Sequence, residues 1–137
     1  MDTKNIGEEA EALVRRIDDD LTTPHDGECL VCFLSRMVAE FGCDGTHRFA
    51  RRFRDLRVPR ATGLEMRLAR KGGYCDCEVL FNAYEPARHL WTPEHTILDE
   101  DGEEVLVEAE EPQLIPACAG IPRGSAQPCR NWEAQRR

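Results

Sequence analysis

The side chains of this sequence with the widest chemical reach are its seven cysteines, and most of them come in close sets. Cys29-x-x-Cys32, Cys43-x-x-x-His47 and Cys75-x-Cys77 are local pairs, and Cys118 and Cys129 sit near the end of the chain. A structural zinc takes four ligands, usually Cys or His, brought in as two close pairs from separate segments. The available pairs suffice for two ions, or for one ion with spare thiols, and spacing alone leaves the pairing open. An odd number of cysteines cannot pair fully within one chain, and reducing compartments keep thiols free. Met1 to Gly7 shows no positively charged start leading into an apolar segment, and no apolar run approaches ~18 residues, so a cytoplasmic location without membrane association is expected. Metal ligation is therefore the first expectation for the thiols, and burial as small hydrophobes is the bland alternative.

Other chemistries compete for the same residues. Asp76 and Glu78 alternate with Cys75 and Cys77, and a zinc with an open position beside Glu78 as general base would be a hydrolase-like arrangement. No His-rich zinc motif or nucleophile signature accompanies them, so a solvated face or a role in orienting neighbouring groups is the simpler reading. Cys29-x-x-Cys32 at a helix N-terminus suits thiol redox chemistry, but the βαβ context is missing. Between Arg48 and Lys71 nine basic residues stand against two acids, a segment charge of +7, while the net charge of −8 leaves −15 for the remainder. Eight acids and no base fall between Asp99 and Glu111. Phe49 and Phe53 lie on the apolar side of the basic stretch, and the overall pI is about 5, so nucleic-acid binding ranks below mutual neutralisation of the charged faces.

The elements that must position these residues follow from periodicity. Ile6, Ala10, Leu13, Val14, Ile17 and Leu21 recur at helical spacing, with Glu8, Glu9 and Glu11 near the N-terminal end, where a helix favours negative charge. A polar loop through His25 then leads to Cys29, and His25 reads as a loop residue. Leu30, Phe33, Leu34, Met37, Val38 and Phe41 form one stripe of a core helix that stops at Gly42, with Cys29 and Cys32 about 60° apart on its flank. A third helix is expected over residues 45–57, broken at Val58-Pro59, with the proline opening a fourth helix that runs to Gly72-Gly73. The two glycines close that helix. Val79-Leu80-Phe81 has strand composition, so Cys75 and Cys77 are expected on one face of a strand and Asp76 and Glu78 on the other. Thr96-Ile97-Leu98 and Val105-Leu106-Val107 around Asp101-Gly102 read as a β-hairpin. Four prolines make residues 112–137 irregular, and thiols in such a tail imply that they tie it down.

The run from Cys29 through Cys43-Asp44-Gly45-Thr46, then Arg57-Val58-Pro59-Arg60-Ala61-Thr62-Gly63-Leu64-Glu65 and Gly72-Gly73-Tyr74-Cys75-Asp76-Cys77-Glu78, resembles a family of small uncharacterised bacterial proteins catalogued as domain of unknown function 2695. The resemblance spans about Glu28 to Tyr84, and the ending around Cys118 and Cys129-Arg130-Asn131-Trp132 is similar to that of longer members. It implies no activity. It implies that the thiols matching Cys43, Cys75 and Cys77 form a common site. Other members carry a histidine where this chain has Gly45 and an apolar residue where it has His47, which leaves His47, Cys32 and Cys29 as candidates for the fourth ligand. The resulting hypothesis has two zinc sites: Cys43, Cys75 and Cys77 with His47, and Cys29, Cys32, Cys118 and Cys129. With a single ion, Cys29, Cys32, Cys75 and Cys77 would be the simplest set.

The expected architecture is α+β. Three or four helices pack on a small antiparallel sheet, stabilised by one or two zinc ions and closed by an irregular Cys-containing tail. A single domain over residues 1–137 is expected, with an N-terminal helix and loop (1–26), the family-like core (28–84), the hairpin (94–108) and the tail (112–137). The expected function is a cytoplasmic zinc-stabilised protein-interaction module, with a homodimer or another protein as partner. A thiol-redox or zinc-dependent enzyme is the alternative, and nucleic-acid binding through Arg48 to Lys71 the third reading.

Overall fold

A computed structural model describes residues 3–136. In chain order it has helices α1 (Thr3–Leu21), α2 (Leu30–Phe41), α3 (Arg48–Arg57), α4 (Leu64–Arg70) and the single turn α5 (Asp76–Glu78), which runs into a π-helical turn over Val79–Ala83. Strands β1 (Tyr84–Pro86), β2 (His95–Leu98), β3 (Glu104–Val107) and β4 (Trp132–Ala134) follow, with a 3₁₀ turn at Arg88–Leu90. The fold class is α+β. The strands form two separate antiparallel pairs, β1 with β4 and β2 with β3.

The stripe of α2 sets the core: Leu30, Phe33, Leu34 and Met37 are buried, and Phe41 emerges at the far end. Cys29 caps the helix in extended conformation, its Sγ accepting the amide of Cys32, and Gly42 ends it at φ +76°. Phe33 meets Phe49 edge-on at 6.4 Å and Phe53 at 5.9 Å between ring centroids, which locks α3 onto α2. The third helix begins at Arg48 rather than at residue 45, because the Asp44 carboxylate accepts the amide and hydroxyl of Thr46 and holds that segment in a turn through Gly45 at φ +83°. The fourth likewise starts at Leu64 and not at Pro59, since Ala61 and Leu64 donate to the carbonyls of Val58 and Ala61 in successive turns.

Three arginines of the basic stretch bond backbone carbonyls, while Arg51, Arg60, Arg67 and Arg70 are exposed. Arg52 donates to the carbonyls of Thr22 and Asp19, Arg57 to Pro24, and Arg48 to Phe41 and Gly42, while Arg54 pairs with Asp55 and Glu65. The Arg52 and Arg57 bonds fasten the 22–26 loop to α3.

The largest departure from expectation follows Cys75: residues 76–81 are helical and not a strand. Cys75 is the extended residue before the turn, Asp76 N–H donates to Thr46 O at 3.0 Å, and Val79 N–H donates to Cys75 O. Strand composition is a weak preference, and these tertiary bonds override it. The preceding turn is crowded: a Cβ on Gly73 would stand 2.8 Å from Val79 Cγ2 and 3.2 Å from Leu68 O. Gly73→Ala is therefore expected to destabilise by about 1–3 kcal/mol through overpacking, measurable as a lower denaturant midpoint. An unchanged midpoint would show that the turn relaxes freely.

The tail is pinned by β4, whose Trp132 opposes Pro86 and whose Ala134 opposes Tyr84. The hairpin of β2 and β3 is largely exposed on both faces, and Asp99 closes its turn by accepting the amides of Asp101 and Glu103. No described helix is long and apolar enough to cross a membrane.

Candidate metal centre

Four cysteine sulfurs from three separate parts of the chain converge at the start of α2. Cys29 and Cys32 come from its first turn, and Cys118 and Cys129 from the tail, with all four Sγ atoms within 4.8 Å of one another. Cys32 and Cys129 are 3.8 Å apart, which is about the sulfur–sulfur edge of a tetrahedron with Zn–S bonds of roughly 2.3 Å. The sulfurs act as acceptors, as thiolates do. Cys118 Sγ receives the amides of Cys29 at 3.3 Å and Gly120 at 3.4 Å, and Cys32 Sγ receives the Trp132 indole N–H at 3.2 Å. Such bonds orient metal ligands and partly neutralise their charge. The hydrogen bond from Cys32 pushes the Cys29 thiol down to about 5 against burial, and the same bond together with burial pushes Cys32 up. Burial also raises Cys129. Without a cation, the cluster favours one thiolate and suppresses its neighbours; a divalent ion removes that repulsion.

The second cluster joins the loop after α2 to the start of α5. Cys43, Cys75 and Cys77 have Sγ atoms within 4.8 Å of one another, and Cys75 and Cys77 are 3.3 Å apart. Cys43 accepts the Gly45 amide, and Cys75 Sγ lies 3.6 Å from Glu78 Oε1. Burial raises the Cys75 thiol to about 12. It also opposes the lowering of Cys43, which the amides of Cys77 and Gly45 and the neighbouring thiols bring about. For Cys77 the bond to Cys75 lowers the pKa, but burial and the bond and charge of Cys43 outweigh it. Among the described residues no histidine or carboxylate joins these three sulfurs at the same mutual distance.

His47, the expected fourth ligand, is directed elsewhere. Its Nε2 lies 2.6 Å from Gly73 O, a contact that requires the proton on Nε2, and its Nδ1 lies 3.9 Å from Glu65 Oε2. It clamps the start of α3 to the Gly72-Gly73 turn. His25 stands in an exposed loop beside Glu28. The single-ion alternative does not match the grouping, since Cys29 and Cys32 fall in one cluster and Cys75 and Cys77 in the other.

Asp76 has a role that periodicity did not suggest. It is fully buried, and its carboxyl accepts the amides of Phe49 at 2.9 Å and Ala50 at 3.1 Å, capping the N-terminus of α3 from a distant segment. Burial holds it above the usual carboxylate range, against these two donors. No local signal in the sequence marks this role: only the structure shows that α3 begins after His47, which makes no side-chain cap of its own. Glu78 remains half-buried beside Cys75, so the two acids do not form a pair.

Fold and clusters together define a small α+β protein that gathers its seven cysteines into two sets of metal-ligand geometry. Residues 30–82 match the model of a family described as a protein of unknown function, DUF2695. That span holds the whole three-thiol cluster and, of the other, only Cys32. No curated protein and no solved structure matches the chain.

Proposed function

We propose that this chain is a zinc-binding protein-interaction module of a reducing, cytoplasmic setting. In this reading Cys29, Cys32, Cys118 and Cys129 form a closed structural site. Cys43, Cys75 and Cys77 form a second site whose fourth position is filled by solvent, by Glu78 or by an incoming group. The observation that carries it is the convergence of four sulfurs, from positions up to 100 residues apart, on one tetrahedron-sized cluster with amide and indole donors aimed at them. All-sulfur sets select soft or borderline ions, and zinc is the redox-inert member of that group.

Metal analysis of protein purified without added zinc is expected to give two equivalents. Less than one equivalent would sink both sites, and one equivalent would leave a single site. The three-thiol set favours a second reading for its own ion, because zinc sites that do chemistry keep an exchangeable position. After cobalt substitution, added thiol should then alter the spectrum of one ion and leave the other unchanged.

A further inference from the structure

Helix α1 is the longest element of the chain, yet from Ile6 to Leu21 every residue is exposed. Its stripe of Ile6, Leu13, Val14, Ile17 and Leu21 is between 49% and 57% exposed. Among the described residues, the bonds that tie it to the rest lie at its C-terminal end, where Arg52 donates to the Asp19 and Thr22 carbonyls. Most helical stability in proteins comes from packing an amphipathic face rather than from propensity. This one is weakened further, since Gly7 interrupts it and Asp18, Asp19 and Asp20 place negative charge at the negative end of its dipole.

We infer that the stripe is covered by the α1 helix of a second copy, in antiparallel orientation. Ile6, Ala10, Leu13 and Ile17 follow the 4-3-4 spacing of a coiled-coil seam. Pairing about an axis between Glu11 and Ala12 sets Ile6 against Ile17 of the other copy and Ala10 against Leu13. In an antiparallel pair each flank meets its own equivalent. One flank carries Glu9 and Arg16, which then face each other twice across the seam, and the other carries Gly7 and Val14, where the missing side chain admits the valine. A parallel pair would oppose Glu9 and Arg16 to Val14 and Leu21 and form neither ion pair. Antiparallel packing also brings the acidic last turn of each helix to the positive N-terminal end of its partner. Six acids against two arginines between Ile6 and Leu21 disfavour an anionic membrane surface as the occupant. The interface is one helix per copy, so the dimer is small and reversible.

Sedimentation equilibrium of the full, metal-loaded chain is the test. The wild type should approach twice its 15.6 kDa mass as concentration rises, with helical circular dichroism falling on dilution. Leu13→Asp should be monomeric at every concentration while keeping its bound metal, which shows that the core is intact. Glu9→Arg and Arg16→Glu should each weaken association roughly tenfold by replacing two attractive pairs with two repulsive ones, and mixing the two variants should restore it. A wild type that stays monomeric, a dimer indifferent to Leu13→Asp, or a failure of the mixed charge variants to recover each overturns the inference. So does a monomer that sediments with phosphatidylcholine vesicles, or one that pairs only with a different protein.

Discussion

On the proposed two-site reading, Cys129→Ser is expected to release one of two metal equivalents and to loosen the tail from α2. The reasoning starts from what else holds residues 115–136. The backbone ties of β4 are short, pairing only Trp132–Ala134 with Tyr84–Pro86, and the Asn131 side chain adds bonds to the carbonyls of Pro116 and Ala117 within the tail itself. Gln135 bonds the carbonyls of Phe81, Ala83 and Tyr84, Ile121 N–H donates to Gly27 O, and Trp132, Ile115 and Ile121 pack on the core. The sulfur cluster, in which Cys118 and Cys129 face Cys29 and Cys32, is the anchor that a bound ion would strengthen most. A structural zinc contributes about 10–16 kcal/mol of apparent binding free energy, which matches or exceeds the roughly 5–15 kcal/mol net stability of a whole domain. Losing one ligand should thus remove the tail's protection from hydrogen exchange at Trp132 and its partners, and lower the melting temperature by well over 10 °C. Cys43→Ser should lose the other equivalent with the tail still protected, because Cys43 belongs to the separate set with Cys75 and Cys77. If Cys129→Ser keeps both metals, or leaves the β4 amides protected, the four-sulfur site is wrong.

The contrast between these variants also shows which parts of the molecule could be read from residue order. The stripe of α2 and the turn at Asp101-Gly102 are local patterns with the right period, and both elements form where the periodicity puts them, with Gly102 at φ +79°. Thiols are sparse and seldom carried without purpose, so their number alone directed attention to metal, and the tail cysteines marked a segment that must return to the core. What periodicity could not supply were the bonds between distant segments. Nothing local pairs Tyr84–Pro86 with a strand more than forty residues later. Nor does Val79-Leu80-Phe81 announce that it will be helical, since Thr46 O and the open end of α3 dictate the conformation there. His47 misled for a related reason: a histidine four residues after a cysteine has ligand spacing, but the proximity of the Gly73 carbonyl settles where its ring points.

Asp76→Ala is expected to cost about 3–5 kcal/mol, a large share of the stability of a domain this size. The substitution strips the acceptor from two buried amides, those of Phe49 and Ala50, at the start of a helix that has no cap of its own. Leaving each buried donor unpaired costs roughly 1–3 kcal/mol, and the vacated space adds to this. Asp76→Asn preserves the volume and one acceptor oxygen, but its amide nitrogen would face the second N–H donor, so it should fall between alanine and the wild type. Because Asp76 sits between Cys75 and Cys77, the same carboxyl that caps α3 fixes the peptide carrying both thiols. Metal affinity at that cluster should therefore drop in the same order as stability, while the Cys29, Cys32, Cys118 and Cys129 site keeps its ion under native conditions. Urea denaturation and metal titration of the two variants check this together. An alanine variant within about 0.5 kcal/mol of the wild type would mean that water replaces the carboxyl at the helix end. A variant that is destabilised yet binds metal normally at Cys75 and Cys77 would separate the cap from the site.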